Sequence, residues 1–153
     1  MTVSDVVVVV DGRRALVRWS RPDVKIDRPP LVLVPGCGRD QADFDPLVAA
    51  LALSRVEVLV VPLPGRSGVE GPVPSSSSEA AAFVRAVLRT AGVRRVVIGG
   101  HSWGGAVALE LALDDVDDGV AGLALLSTGA RLRVAQAVFD HVEAAGDVTA
   151  LAD

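Results

Sequence analysis

Aromatic side chains are scarce in this sequence, at 3% of residues, and their scarcity removes one class of partner at the outset. A groove for nucleic acid combines Lys/Arg clusters with aromatics on which bases stack. Here no basic run has the needed length and the formal net charge is -4, so nucleic acid is not an expected partner. Long hydrophobic runs are missing too. Apolar runs such as Val6 to Val10 and Leu47 to Leu53 fall far short of the roughly 20 residues that cross a bilayer as a helix. No basic segment precedes an apolar signal region at the N-terminus. The expectation is a soluble, cytoplasmic chain with no membrane association. Cysteine is nearly absent: Cys37 stands alone, which excludes an internal disulfide and agrees with a reducing compartment.

What is abundant is Val, Leu and Ala. Half of the 153 residues are apolar, enough for one domain with a buried core, and their small aliphatic character suits strands covered on both faces by helices. Val6 to Val10 and Ala15 to Trp19 read as two strands joined at Asp11-Gly12, an antiparallel opening. After a proline-containing connector, Leu31 to Val34 is an all-apolar run ended by Pro35-Gly36, the pattern of a buried central strand. Asp45-Pro46 reads as an N-cap with proline at the first helical position, leading into Leu47 to Leu53; Val56 to Val61 returns as a strand. Ser76 and Glu79 form a capping box for a helix with Phe83, Val84, Val87 and Leu88 on one face, stopped at Gly92. Val96 to Ile98 (strand), Gly104 to Leu113 (helix) and Gly122 to Leu126 (a further buried strand) complete an alternation that predicts an α/β fold with a mostly parallel sheet and flanking helices. Beyond it, Val134, Ala137, Val138, Val142 and Ala145 take helical spacing.

The chemistry concentrates at Gly100-His101-Ser102-Trp103-Gly104. This is G-x-S-x-G set between a predicted strand and a predicted helix, the context in which a serine on a sharp turn has its Oγ pushed out above the sheet. Gly100 and Gly104 let neighbouring backbones pass, Ser102 is the candidate nucleophile, and the N–H of Trp103 at the helix start can face an oxyanion. A second donor is expected from the loop after Leu31 to Val34, where Pro35-Gly36-Cys37-Gly38 is small enough to aim the N–H of Cys37 at the same point.

With these residues in place, the chain resembles the N-terminal part of an α/β-hydrolase of the esterase, lipase and aminopeptidase-like superfamily, over about residues 5 to 133. The resemblance is carried by the 31–38 segment, by Pro-Leu-Pro-Gly-Arg-Ser-Gly at 62–68, by the serine turn and by Leu-Leu-Ser-Thr-Gly-Ala-Arg at 125–131. It departs at Pro35, where relatives usually have His, and at Pro62, where they usually have Asp. It implies residues 1–130 as the N-terminal part of the hydrolase core and 131–153 as the start of a helical cap or a remainder. It also implies hydrolysis of a small ester or amide through a Ser102 acyl-enzyme, with no cofactor and no metal.

In that fold the acid and the histidine follow the serine in chain order. Of the two histidines, His101 adjoins the serine and reads as a packing residue of the turn, while His141 is the candidate base. No Asp or Glu occupies 127–131, so no acid is assigned; Asp140, Glu143 and Asp147 read as solvated helix-face charges. The expectation is an α/β-hydrolase fold lacking its last strands, with an exposed sheet edge that favours self-association or a complementing chain. A binding module without catalysis, or an inactive fragment that retains the pocket, is the alternative. Cys37 as a rival nucleophile lacks a visible His partner. Gly36-Cys37-Gly38 lacks the third glycine of a dinucleotide fingerprint, Gln41 standing there, and no Gly-Lys-Ser/Thr forms a P-loop.

Overall fold

A computed structural model of the chain describes residues 2–24, 26–66, 69–115 and 118–129, with Asp140 and Ala144. Two long strands, β1 (Thr2–Val10) and β2 (Arg13–Arg21), open the fold as an antiparallel pair, Asp11 and Gly12 both taking positive φ in the tight turn between them. They are followed by β3 (Leu31–Val34), α1 (Asp45–Leu53), β4 (Val58–Val60), α2 (Ser77–Thr90), β5 (Val96–His101), α3 (Trp103–Leu113) and β6 (Val120–Leu126). Among the described residues the six strands form one sheet in the order β1-β2-β4-β3-β5-β6. The β3–β4, β3–β5 and β5–β6 pairs are parallel. The mostly parallel α/β sheet expected from the apolar runs is therefore borne out, with Leu31 to Val34 at its centre.

Side-chain alternation along the strands divides the core between the two faces. Val32, Val34, Leu59, Val61 and Ile98 pack with Ala80, Val84, Val87, Val107 and Leu111 of α2 and α3. Leu33, Val58 and Val60 face the other way and pack with Phe44 and Val48 at α1. Helices on both faces are what allow the central strands to be apolar at every position.

Three local details differ from the sequence reading. Asp45 is not the cap of α1 but its first residue, because a 3₁₀ turn, Gln41–Phe44, runs straight into the helix. Asp40 performs the capping, accepting from the Ala42 N–H at 2.9 Å, while Asp43 accepts from the Asp40 N–H at 3.0 Å. Asp45 is thereby left to pair with Arg18 Nη1 at 2.6 Å, a contact that holds the Arg18 guanidinium above its ordinary pKa. At α2, Ser76 caps as expected, its Oγ accepting from the Glu79 N–H at 3.1 Å. The Glu79 carboxylate instead reaches one residue further back, to the N–H and Oγ of Ser75, both at 2.8 Å. Lastly, β6 is not a fully buried strand. It is the last strand of the described sheet and its burial alternates, with Leu123 44% and Leu125 41% exposed.

Candidate active site

The β5 strand runs on through Gly99 and Gly100 to His101, and α3 begins at Trp103, so a single residue, Ser102, makes the turn from strand to helix. Ser102 takes φ 51° and ψ -118°. Positive φ is uncommon for a side chain with a Cβ, and ψ near -118° takes Ser102 outside even the left-handed helical well. The strand and the helix over-determine this conformation from both sides. The Ser102 N–H donates to the Leu126 carbonyl of β6 at 3.0 Å, and its own carbonyl accepts from the Gly105 N–H at 2.9 Å.

The glycines around the turn are demanded by backbone contacts. A Cβ at Gly100 would collide with the carbonyl of Gly104, and a Cβ at Gly104 would collide with the carbonyl of Val34. The start of α3 thus lies directly against the end of β3, where the loop of Pro35 to Gly38 departs. Two further glycines contribute that the five-residue pattern does not include. A Cβ at Gly99 would lie 2.8 Å from the Ala124 carbonyl, and one at Gly105 would strike Thr128. The doublets Gly99-Gly100 and Gly104-Gly105 were visible in the sequence, but the need for their outer members depends on what β6 and its exit bring alongside.

Ser102 makes no side-chain cap hydrogen bond to α3. Trp103, as the first residue of the helix, has an N–H with no carbonyl four residues back inside the helix to receive it. Its side chain forms a wall of a cavity of about 210 Å³, which is also lined by Pro35, Gly36, Cys37 and Gly38. The structure thus brings Trp103, the residue after Ser102, to the Cys37 loop, with Cys37 exposed; Ser102 itself is not among the residues that line the cavity. His101, half-buried, is directed toward that same loop: a Cβ at Gly36 would lie 3.1 Å from His101 Nδ1. His101 is the only histidine among the described residues, and His141 lies outside them, as do Glu143, Asp147 and nearly all of the 131–153 segment. Asp140 is exposed.

Among the described residues no group of three His, Cys, Asp or Glu could hold a metal ion, and no helix is long and apolar enough to cross a membrane. A larger cavity, about 580 Å³, lies between the C-terminal ends of α2 and α3, against the starts of β5 and β6. Open α/β sheets take their ligands outside the carboxyl ends of the strands. The smaller cavity, at the strand ends that carry Ser102, is therefore the better candidate.

Residues 31–152 match the model of the Alpha/beta hydrolase family. The chain belongs to that family. Its fold recurs in solved α/β hydrolases and related enzymes. A membrane phospholipase A described as a bacterial virulence factor superimposes with a TM-score of 0.78 at 24% identity, over 95% of this chain and 46% of its own. The enol-lactonase from Burkholderia xenovorans LB400 gives 0.77 at 24% identity, over 94% of this chain and 54% of its own. A predicted CIB-like hydrolase from Thermoplasma acidophilum gives 0.73 at 24% identity, over 92% of this chain and 69% of its own. This member of the α/β hydrolase family thus spans about half the length of the first two. At these identities the likeness is one of fold.

Proposed function

We propose that the chain carries the nucleophile and the oxyanion donors of a serine hydrolase acting on a small ester or amide. The observation that carries this reading is the conformation of Ser102: a positive-φ serine between strand and helix whose hydroxyl is not used as a cap. In the reaction, Ser102 Oγ forms a bond to the substrate carbonyl carbon as its proton passes to a base. The carbonyl oxygen becomes an oxyanion that the N–H groups of Trp103 and Cys37 stabilise. Collapse breaks the bond to the leaving alcohol or amine, which takes the proton, and water then releases the acid from the acyl-serine. The Ser102 N–H is occupied by Leu126, which supports assigning the donors to the following residue and to the loop after β3. His141 is the candidate base, since His101 points to the Gly36 loop. Cytoplasmic placement is supported by the single cysteine. Pairing with a second copy or a complementing chain is supported by the apolar, half-open face of β6.

Labelling with a serine-directed fluorophosphonate, read by intact mass, tests the reading. One label per chain, absent in Ser102→Ala, is the expected result. A folded chain that takes no label would overturn the nucleophile assignment and favour the alternative, a binding module that retains the pocket without chemistry.

A further inference from the structure

The cavity lined by Trp103 and the Cys37 loop has a charge pattern that the serine chemistry does not use. Its floor and walls are apolar, with Leu63, Val73 and Trp103 among them, and the charged side chains among its described lining residues are two guanidiniums, Arg39 and Arg66. No carboxylate is among them. Arg39 stands two positions after Cys37 on the same loop and is held from both ends. Its N–H donates to the Gly36 carbonyl at 3.2 Å, and its Nε pairs with Asp43 Oδ2 at 3.0 Å. Asp43 is itself fixed by the Asp40 N–H in the 3₁₀ turn. A guanidinium braced in this way is oriented before any ligand arrives, which reduces the ordering cost of binding.

We propose that this cavity receives a short acyl group bearing its own carboxylate, so that the substrate class is the monoester of a small dicarboxylic acid. The inference rests on the reading of Ser102 as the nucleophile and adds the acyl specificity. Arginine recognises carboxylate by paired, charge-assisted hydrogen bonds, and Arg39 and Arg66 line the same cavity as Cys37 and Trp103. The carbons between ester and carboxylate would meet Leu63 and Val73, which line that cavity too. At about 210 Å³ the space is smaller than the roughly 300–1,000 Å³ of drug-sized ligand sites, which restricts the chain to a few carbons.

The test compares two ligands of similar size, monomethyl glutarate and the neutral methyl valerate. Each is titrated into the ¹⁵N-labelled chain while the amide signals of Gly36, Cys37, Gly38 and Trp103 are followed. The charged ligand is expected to bind about tenfold more tightly. That preference should shrink in Arg39→Gln and in Arg66→Gln and weaken with added salt, because both groups are partly exposed. Equal affinities, no shifts with either ligand, or a preference that survives both substitutions would overturn the proposal. The wild-type comparison needs no variant and so does not depend on how well the substituted chains fold. Fluorophosphonate labelling reads the nucleophile separately. Labelling without discrimination sinks the carboxylate site alone; discrimination without labelling sinks the nucleophile alone.

Discussion

Among the described residues two serines stand at the N-cap positions of helices, Ser76 before α2 and Ser102 before α3, and they are used in opposite ways. Ser76 is extended, with φ -149° and ψ 160°, and its hydroxyl accepts the Glu79 N–H. It does what a capping serine ordinarily does, satisfying one of the orphan donors of the first turn. Ser102 has φ 51° and caps nothing with its side chain. The difference lies in how the chain arrives. A loop leads into α2, so Ser76 can choose its backbone conformation. A strand of the sheet leads straight into α3, so Ser102 must make the whole turn, and its hydroxyl makes no cap bond to the helix. The comparison teaches that the same residue at the same formal position contributes stability in one place, while in the other it is held at some cost in backbone strain with its hydroxyl not bonded to the helix.

The largest effect expected from breaking this arrangement is at Gly104. Gly104→Ala should lower the unfolding free energy by about 3 kcal/mol or more, because the new methyl group would meet backbone of β3 and its exit rather than a movable side chain. A urea denaturation curve checks it; a midpoint within error of the parent would show that the β3–α3 contact is looser than described. Smaller, and of opposite sign at the two serines, are the effects of replacing the caps themselves. Ser76→Ala should cost about 1 kcal/mol, while Ser102→Gly should stabilise by up to about 1 kcal/mol as the positive-φ strain is relieved. If both variants lose stability in the same denaturation series, the contrast between the two serines fails.

The smallest effect concerns pH. Hydrogen bonds from the backbone N–H and then the hydroxyl of Ser75 hold the Glu79 carboxyl below its usual range. A depressed carboxyl contributes stability that is fully present above its unfolded-state pKa and is lost as pH falls through the folded-state value. The thermal midpoint of the parent should therefore exceed that of Glu79→Gln at neutral pH, and the gap should close on acidification below the usual carboxylate range. A gap that is constant with pH would mean that Glu79 acts there only by its shape.

How much of this was legible beforehand follows the range of the forces involved. Gly100 could be read because its requirement comes from within the turn, and Gly104 as the second glycine of the same pattern, although its own close contact is with Val34; Gly99 and Gly105 could not, since theirs come from Ala124 and Thr128. The sequence does not show that the acidic cap, Asp40, belongs to the 3₁₀ turn and that α1 itself starts at Asp45 after Phe44 with no side-chain cap, because Asp40 and Asp45 are both acidic and both precede the same apolar run. The apolar run of β6 was readable as a strand, but its burial was not, because burial depends on what lies beside it.

By itself, then, the sequence determined the order of strands and helices, the central place of Leu31 to Val34 and the turn that carries Ser102. Those follow from periodicity, from glycine and from short-range backbone sterics, all written in consecutive residues. The tertiary structure alone decided that Arg39 and Arg66 share a cavity with Trp103, that His101 faces Gly36, and that Leu123 and Leu125 remain half-open. These are juxtapositions of segments distant in the chain, and no local pattern encodes a contact that exists only once the sheet has brought its loops to one edge.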